Sequence, residues 1–235
     1  MCKVKLSSIP PYAWAAEPVH KFARLTQLRG VSKMKAFRIV IAGVGGQGTL
    51  LATRLLADTA INEGVKVRIG ETYGMAQRGG PVMGHIQIGE TYGPQIRPGE
   101  ADAILGFEIA EATRRGVTYL KQGGLAIINT KKLPPIEVIS GIRGYPEENQ
   151  LLNLLRQVTG KLFVFNATKL AEQAGDPIAT NMVMLGALTA SDALPFGEDK
   201  IATAMKKSIP PRFLELNTRA FNLGVQAYRE SGLTP

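Results

Sequence analysis

The 235-residue sequence predicts an α/β domain with a doubly wound, mostly parallel sheet and a helical C-terminal region. Three observations predict it. Short runs of β-branched apolar residues alternate with helix-length segments from residue 37 onward. The first run ends in a glycine cluster directly ahead of a helical pattern. Beyond residue 166 only helical patterns remain.

The elements follow in order. Residues 37–42 form a continuous apolar run, as a strand covered on both faces requires. Residues 48–63 carry Leu51, Leu55 and Ile61 among alanines and stop at Gly64, a helix with a glycine C-cap. Residues 65–69 and 82–88 alternate and predict two further strands. Residues 103–106 are a short buried strand. Residues 108–120 form a helix with an expected break near Gly116. A Gly-Gly turn precedes a strand at 125–129, and Pro134-Pro135 precedes one at 136–140. A helix at 147–158 and a strand at 162–165 come next. Helices at 168–174, 181–190, 198–207 and 211–230 complete the chain, with Pro211 at a tolerated first-turn position. No internal repeat interrupts this order.

Residues 1–33 stand apart as an N-terminal extension with little expected order, and residues 34–235 as a single domain. The extension contains Pro10, Pro11 and Pro18, and six basic residues against the single acid Glu17. It lacks the apolar core of a secretory signal. A transit peptide and an upstream extension ahead of a start at Met34 are both open, and the extension is the reading favoured. The net charge of +9 splits into +5 for residues 1–33 and +4 for the remaining 202. That distribution argues against a nucleic-acid surface, which needs basic residues massed on a folded face. No apolar run approaches the roughly 20 residues of a membrane helix. Hydrophobic residues make up 45% of the chain, enough for a sizeable core. The single cysteine, Cys2, rules out an internal disulfide and a four-cysteine iron–sulfur site. Two histidines, His20 and His85, stand too far apart for a zinc motif. These features fit a cytoplasmic protein that holds no metal by itself.

The first strand runs into Gly43-Val44-Gly45-Gly46-Gln47-Gly48, a G-x-G-x-x-G pattern that makes the first βαβ unit Rossmann-like. Its glycines permit a tight turn and close ligand approach, and the helix N-terminus behind it attracts anions. Gln47 places an amide beside the loop mouth, available to a ligand or a partner. Glu71, at the end of the second strand, stands where an acid would hold a ribose. Two readings are open: a small-molecule site, or glycines that only let the helix pack. After the second strand comes Glu71-Thr72-Tyr73-Gly74-Met75-Ala76-Gln77-Arg78-Gly79-Gly80-Pro81. Gly74, Gly79 and Gly80 permit close backbone approach, and Arg78 offers a fork for phosphate or carboxylate.

These two motifs together resemble the gamma-type subunit of 2-oxoacid:ferredoxin oxidoreductases. The Met75-Ala76-Gln77-Arg78-Gly79-Gly80 form is most similar to the beta subunit of the indolepyruvate type. The resemblance runs from about Lys35 to the C-terminus. It extends to residues 102–111 and to Asn181-Met182-Val183-Met184-Leu185-Gly186. It implies oxidative decarboxylation of a 2-oxoacid to an acyl-CoA, with electrons passed to ferredoxin. It implies thiamine diphosphate and iron–sulfur clusters on a large partner subunit, and CoA as co-substrate. Thiamine sites of such enzymes carry Gly-Asp-Gly. Here Gly175-Asp176-Pro177 is the nearest match, and it reads as a turn. The resemblance assigns this chain the completion of an active-site wall. The CoA phosphates would meet Gly43, Gly45, Gly46, Gln47, Gly48, Arg78, Gly79 and Gly80, with Glu71 beside them. No catalytic residue is assigned.

Two alternatives account for fewer residues. A free-standing NAD(P)-dependent dehydrogenase explains the first glycine loop and Glu71 but not the second motif. A nucleotide-binding or assembly module explains both only as surfaces. Among the remaining residues, His85 reads as an ordinary half-buried histidine. Glu108 and Glu111 read as a solvated helix face, and Asn181 as a helix cap with a lesser prospect of bordering the cleft. Tyr73 and Met75 read as interface residues.

Overall fold

The computed structural model describes residues 34–73, 79–134, 136–142 and 144–233, the side chains of residues 72, 73, 136 and 137 excepted. Cys2, the N-terminal extension and Met75 lie outside them, as do Gln77 and Arg78. The elements are β1 (Phe37–Val44), α1 (Thr49–Asn62), β2 (Val67–Tyr73), β3 (Pro81–Ile88) and β4 (Ala101–Gly106). They continue with α2 (Ile109–Tyr119), β5 (Leu120–Asn129), α3 (Ile136–Ile139), α4 (Glu148–Arg156) and β6 (Thr159–Phe165). Helices α5 (Ala167–Ala174), α6 (Thr180–Ala190), α7 (Glu198–Ser208) and α8 (Pro211–Glu230) follow.

The six strands form one sheet in the order β2-β3-β1-β4-β5-β6. β1, β4, β5 and β6 pair in parallel, while β3 runs antiparallel to both β1 and β2. The sheet is thus mostly parallel in direction, with one reversed strand wedged between β1 and β2. The reason lies in chain length. Only seven residues separate Tyr73 from Pro81, too few for the crossover of a dozen or more that a parallel neighbour needs.

Both faces are covered, as a parallel sheet requires. Ile39, Ile41, Ile86, Leu105 and Ile127 point to one face and meet α1, α5 and α6. Val40, Ala42, Ile104, Ala126 and Ile128 point to the other and meet α2 and α4. Alternate residues of each central strand therefore enter opposite cores. Each fully buried isoleucine or leucine stabilises the fold by about 1.5–3 kcal/mol. Every residue of α6 is buried. An extra layer lies over it: a Cβ on Gly186 would stand 2.1 Å from the Phe221 carbonyl, and one on Gly224 1.9 Å from that of Val183. Glycine at both positions lets α6 and α8 cross with their backbones touching.

Two expectations change. Residues 136–139 form a helical turn, α3, rather than a strand, and Ile139 is exposed. Helix α2 runs unbroken through Gly116, where a Cβ would meet Leu155 Cδ2 at 2.7 Å. That glycine admits α4 rather than ending α2. Among the described residues no helix is long and apolar enough to cross a membrane.

Candidate active-site face

The parallel strands all end on one side of the sheet. α1 leaves β1 toward one face and α2 leaves β4 toward the other. The β1/β4 boundary is therefore a topological switch point, where open α/β sheets place their ligands. Here a side chain of the glycine loop bridges that boundary. The Gln47 Oε1 accepts from the Val44 N–H at 2.7 Å, and its Nε2 donates to the Phe107 carbonyl at 2.9 Å. The amide expected at the loop mouth instead ties the loop to the end of β4. A Cβ on Gly43 would stand 2.7 Å from Gln47 Oε1, so glycine there makes room for the Gln47 amide.

The two glycine motifs meet. Gly45 N–H donates to the Gly80 carbonyl at 2.8 Å and Gly79 N–H to the Gly45 carbonyl at 3.3 Å, just past the last β1–β3 pair, Val44–Pro81. Gly48 caps α1 in the left-handed region at φ 76°, a conformation costly for other residues. Asn181 packs on it: a Cβ there would lie 2.6 Å from Asn181 Nδ2. Asn181 is therefore no helix cap. It sits in the first turn of α6 and its Nδ2 donates to the Gly48 carbonyl at 3.4 Å.

Glu71 is not brought to the loop. It pairs with Gly84, which pairs with Ile41. It thus stands two strand spacings from β1, roughly 10 Å. The wedged β3 separates the acid from the glycines it would have to serve.

Asn129 is the residue that sequence reasoning missed. It is fully buried at the end of β5. Its Nδ2 donates to the Phe107 carbonyl at 3.1 Å and to Thr168 Oγ1 at 3.0 Å. Its Oδ1 accepts from Ala167 N–H at 3.1 Å and Lys131 N–H at 3.4 Å. One amide thus fixes the ends of β4, β5 and β6. The available signal was a polar residue closing an apolar strand.

Beside this hub opens a hollow of about 150 Å³. Gly46 and Gln47 form one wall, Lys131 and Leu133 a second, and Thr168, Pro177, Ile178 and Thr180 the third. It is smaller than the roughly 300–1,000 Å³ of pockets that bury a whole ligand. It suits one polar end of a ligand, with Lys131 as its cation. A wider groove of about 400 Å³ between α7 and α8 lies elsewhere, and its Arg229 and Glu198 pair with each other.

The acids near α2 are buried rather than solvated. Glu108 Oε2 caps the helix by accepting from Glu111 N–H at 2.9 Å, and its Oε1 accepts from the Tyr145 hydroxyl. Burial and the Glu108 carboxylate hold the Tyr145 phenol well above its usual range. Glu111 pairs with Arg114 at 3.2 Å, and burial raises its carboxyl despite the two nearby arginines. His85 is buried too. Its Nδ1 accepts from Ile96 N–H at 3.2 Å and its ring meets Tyr119 edge-on. Burial, then Arg115, lower its pKa. It acts as a neutral structural acceptor. Asp176 caps the turn Pro177–Ala179, as the turn reading of Gly175-Asp176-Pro177 expects. Among the described residues no cluster of His, Cys, Asp or Glu could hold a metal.

Fold and site together define a mostly parallel α/β domain whose Gln47 amide ties the glycine loop to the end of β4, beside a hollow of about 150 Å³. The dehydrogenase reading is not supported. The sequence matches the family model for pyruvate ferredoxin/flavodoxin oxidoreductase over residues 38–227. It is 43% identical over 199 residues to indolepyruvate oxidoreductase subunit IorB of Thermococcus kodakarensis, covering 84% of this chain and 98% of that one. It is 30% identical over 197 residues to 2-oxoglutarate synthase subunit KorC of Methanothermobacter thermautotrophicus, covering 82% and 95%. The fold matches the gamma subunit of a keto/oxoacid ferredoxin oxidoreductase from Geobacter sulfurreducens, with TM-score 0.61 and 24% identity over 83% and 99% of the two chains. The chain belongs to the pyruvate ferredoxin/flavodoxin oxidoreductase family.

Proposed function

We propose that this chain is the small subunit of an indolepyruvate-type 2-oxoacid:ferredoxin oxidoreductase, with residues 34–235 as its gamma-type domain. The complex would decarboxylate an aryl 2-oxoacid oxidatively, releasing CO2 and an acyl-CoA and passing electrons to ferredoxin. The observation that carries the reading is the 43% identity that spans 98% of an indolepyruvate oxidoreductase subunit, against 30% for the 2-oxoglutarate relative.

Thiamine diphosphate and iron–sulfur clusters belong to the large partner subunit in this reading. The donor set of this chain does not suit a cluster, because the whole sequence holds one cysteine. Its own contribution is positional. The α1 N-terminus, Gly46, Lys131 and Thr168 offer donors and positive charge to a phosphate end of CoA, while Thr180, whose hydroxyl donates to the Pro177 carbonyl at 2.7 Å, only lines the wall. Gly79 and Gly80 hold the glycine loop from behind. Neither a nucleic acid nor a membrane has a part in this reading, and its setting is the cytoplasm.

The test is to purify the tagged chain with its partner and to assay CoA-dependent reduction of a viologen dye. Indolepyruvate turning over faster than pyruvate or 2-oxoglutarate supports the reading. Activity confined to aliphatic oxoacids moves the substrate within the family. A lone chain that binds NADH tightly overturns it.

A further inference from the structure

The three most exposed aliphatic side chains among the described residues are Ile142 (74%), Ile178 (73%) and Ile139 (70%). All three lie at the end of the sheet where the parallel strands finish. Ile178 lines the hollow. Ile139 and Ile142 sit on the segment that leaves the hollow at Leu133 and is tied back to the end of β4 by Tyr145 and Glu108. Helices pack on both faces of the central strands, and these isoleucines are left largely exposed. Exposed apolar groups gathered beside a site mark an interaction surface.

The charges of the same surface indicate what covers it. Lys131 and Lys169 are exposed there, and neither Nζ has an ion-pair partner among the described residues. Lys169 stands in the first turn of α5, where a cation opposes the helix dipole. That placement weakens the isolated helix and favours a carboxylate brought from outside. Lys131 lines the hollow together with Ile178.

We propose that this end of the sheet, centred on Ile139, Ile142, Ile178 and Lys169, is the surface on which the cluster-bearing large subunit docks. That partner presents an apolar patch carrying carboxylates and closes the hollow. This rests on the small-subunit reading above. The opposite end of the sheet carries its own exposed side chain, Tyr92, on the loop between β3 and β4. It lies outside the proposed surface and supplies the control.

The experiment uses the full chain co-expressed with its large subunit, identified by bound thiamine diphosphate and iron–sulfur absorbance. Association is measured with the variants Ile139→Asp/Ile142→Asp, Lys169→Glu and Tyr92→Asp, each confirmed folded by circular dichroism and melting. The double variant is expected to weaken association at least a hundredfold. Lys169→Glu is expected to weaken it several-fold, with a flatter salt dependence. Tyr92→Asp should stay within twofold of the unsubstituted chain. Unchanged association of the double variant overturns the assignment, as does disruption by Tyr92→Asp. So does loss of only a homodimer of this chain while the large subunit still binds. If the unsubstituted chain brings down no cluster-bearing subunit, the small-subunit reading fails and the docking surface falls with it.

Discussion

Gln47 and Asn129 donate to the same acceptor, the carbonyl oxygen of Phe107, at 2.9 and 3.1 Å. One amide comes from the glycine loop after β1 and the other from the end of β5. Both lone pairs of a carbonyl at the end of β4 are thereby used. The relationship ties the glycine loop to the ends of β4 and β5, beside the hollow that Lys131 lines.

Gln47→Ala removes both bonds and strands the Val44 N–H and a share of the Phe107 carbonyl. A loss of about 1–3 kcal/mol is expected in denaturant unfolding. Gln47→Glu keeps the acceptor for Val44 but sets a carboxylate against the Phe107 carbonyl. Its stability should therefore improve as the pH falls through the carboxylate range, whereas that of Gln47→Ala gains nothing from this site.

Gly48→Ala tests the contact with Asn181. The left-handed cap costs a side chain on the order of 1 kcal/mol, and the approach of Asn181 adds to it. Asn181→Ala removes the two nearest atoms. The double variant should be more stable than the sum of the single losses predicts, by about 0.5 kcal/mol or more. Strict additivity in chemical denaturation would show that the contact relaxes at no cost.

His85 predicts an acid-side loss of stability. Its pKa in the folded chain lies below the ordinary value of 6.5, so the unfolded chain takes up the proton first. Stability from this group is present above pH 6.5 and falls as the pH drops below it, by at most about 1.4 kcal/mol per pH unit. His85→Asn retains an acceptor for Ile96 N–H without titrating. Its melting temperature should vary less between pH 6.5 and 5 than that of the unsubstituted chain.

Lys131→Ala probes the hollow in the assembled enzyme. The KM for CoA is expected to rise roughly three- to tenfold, about 0.7–1.4 kcal/mol, with the KM for the oxoacid and kcat little changed. An equal rise for both substrates would remove the CoA assignment.

The sequence alone determined the alternation of strands and helices, the two-faced burial of the central strands and the paired glycine motifs. Those are local signals: apolar runs, periodicity and residues that permit special backbone angles. It also limited metal chemistry, because a single cysteine cannot hold a cluster. Tertiary structure decided the rest. Sequence order assigns Glu71 to the glycine loop because both follow early strands, yet β3 enters between them, since seven residues cannot carry a crossover. Gln47 read as a free amide because only the fold brings the Phe107 carbonyl, 60 residues away, within its reach. Asn129, Lys131, Thr168 and Thr180 carry no motif. They converge because parallel strands all end on one side of a sheet, and that is a property of the topology rather than of any stretch of sequence.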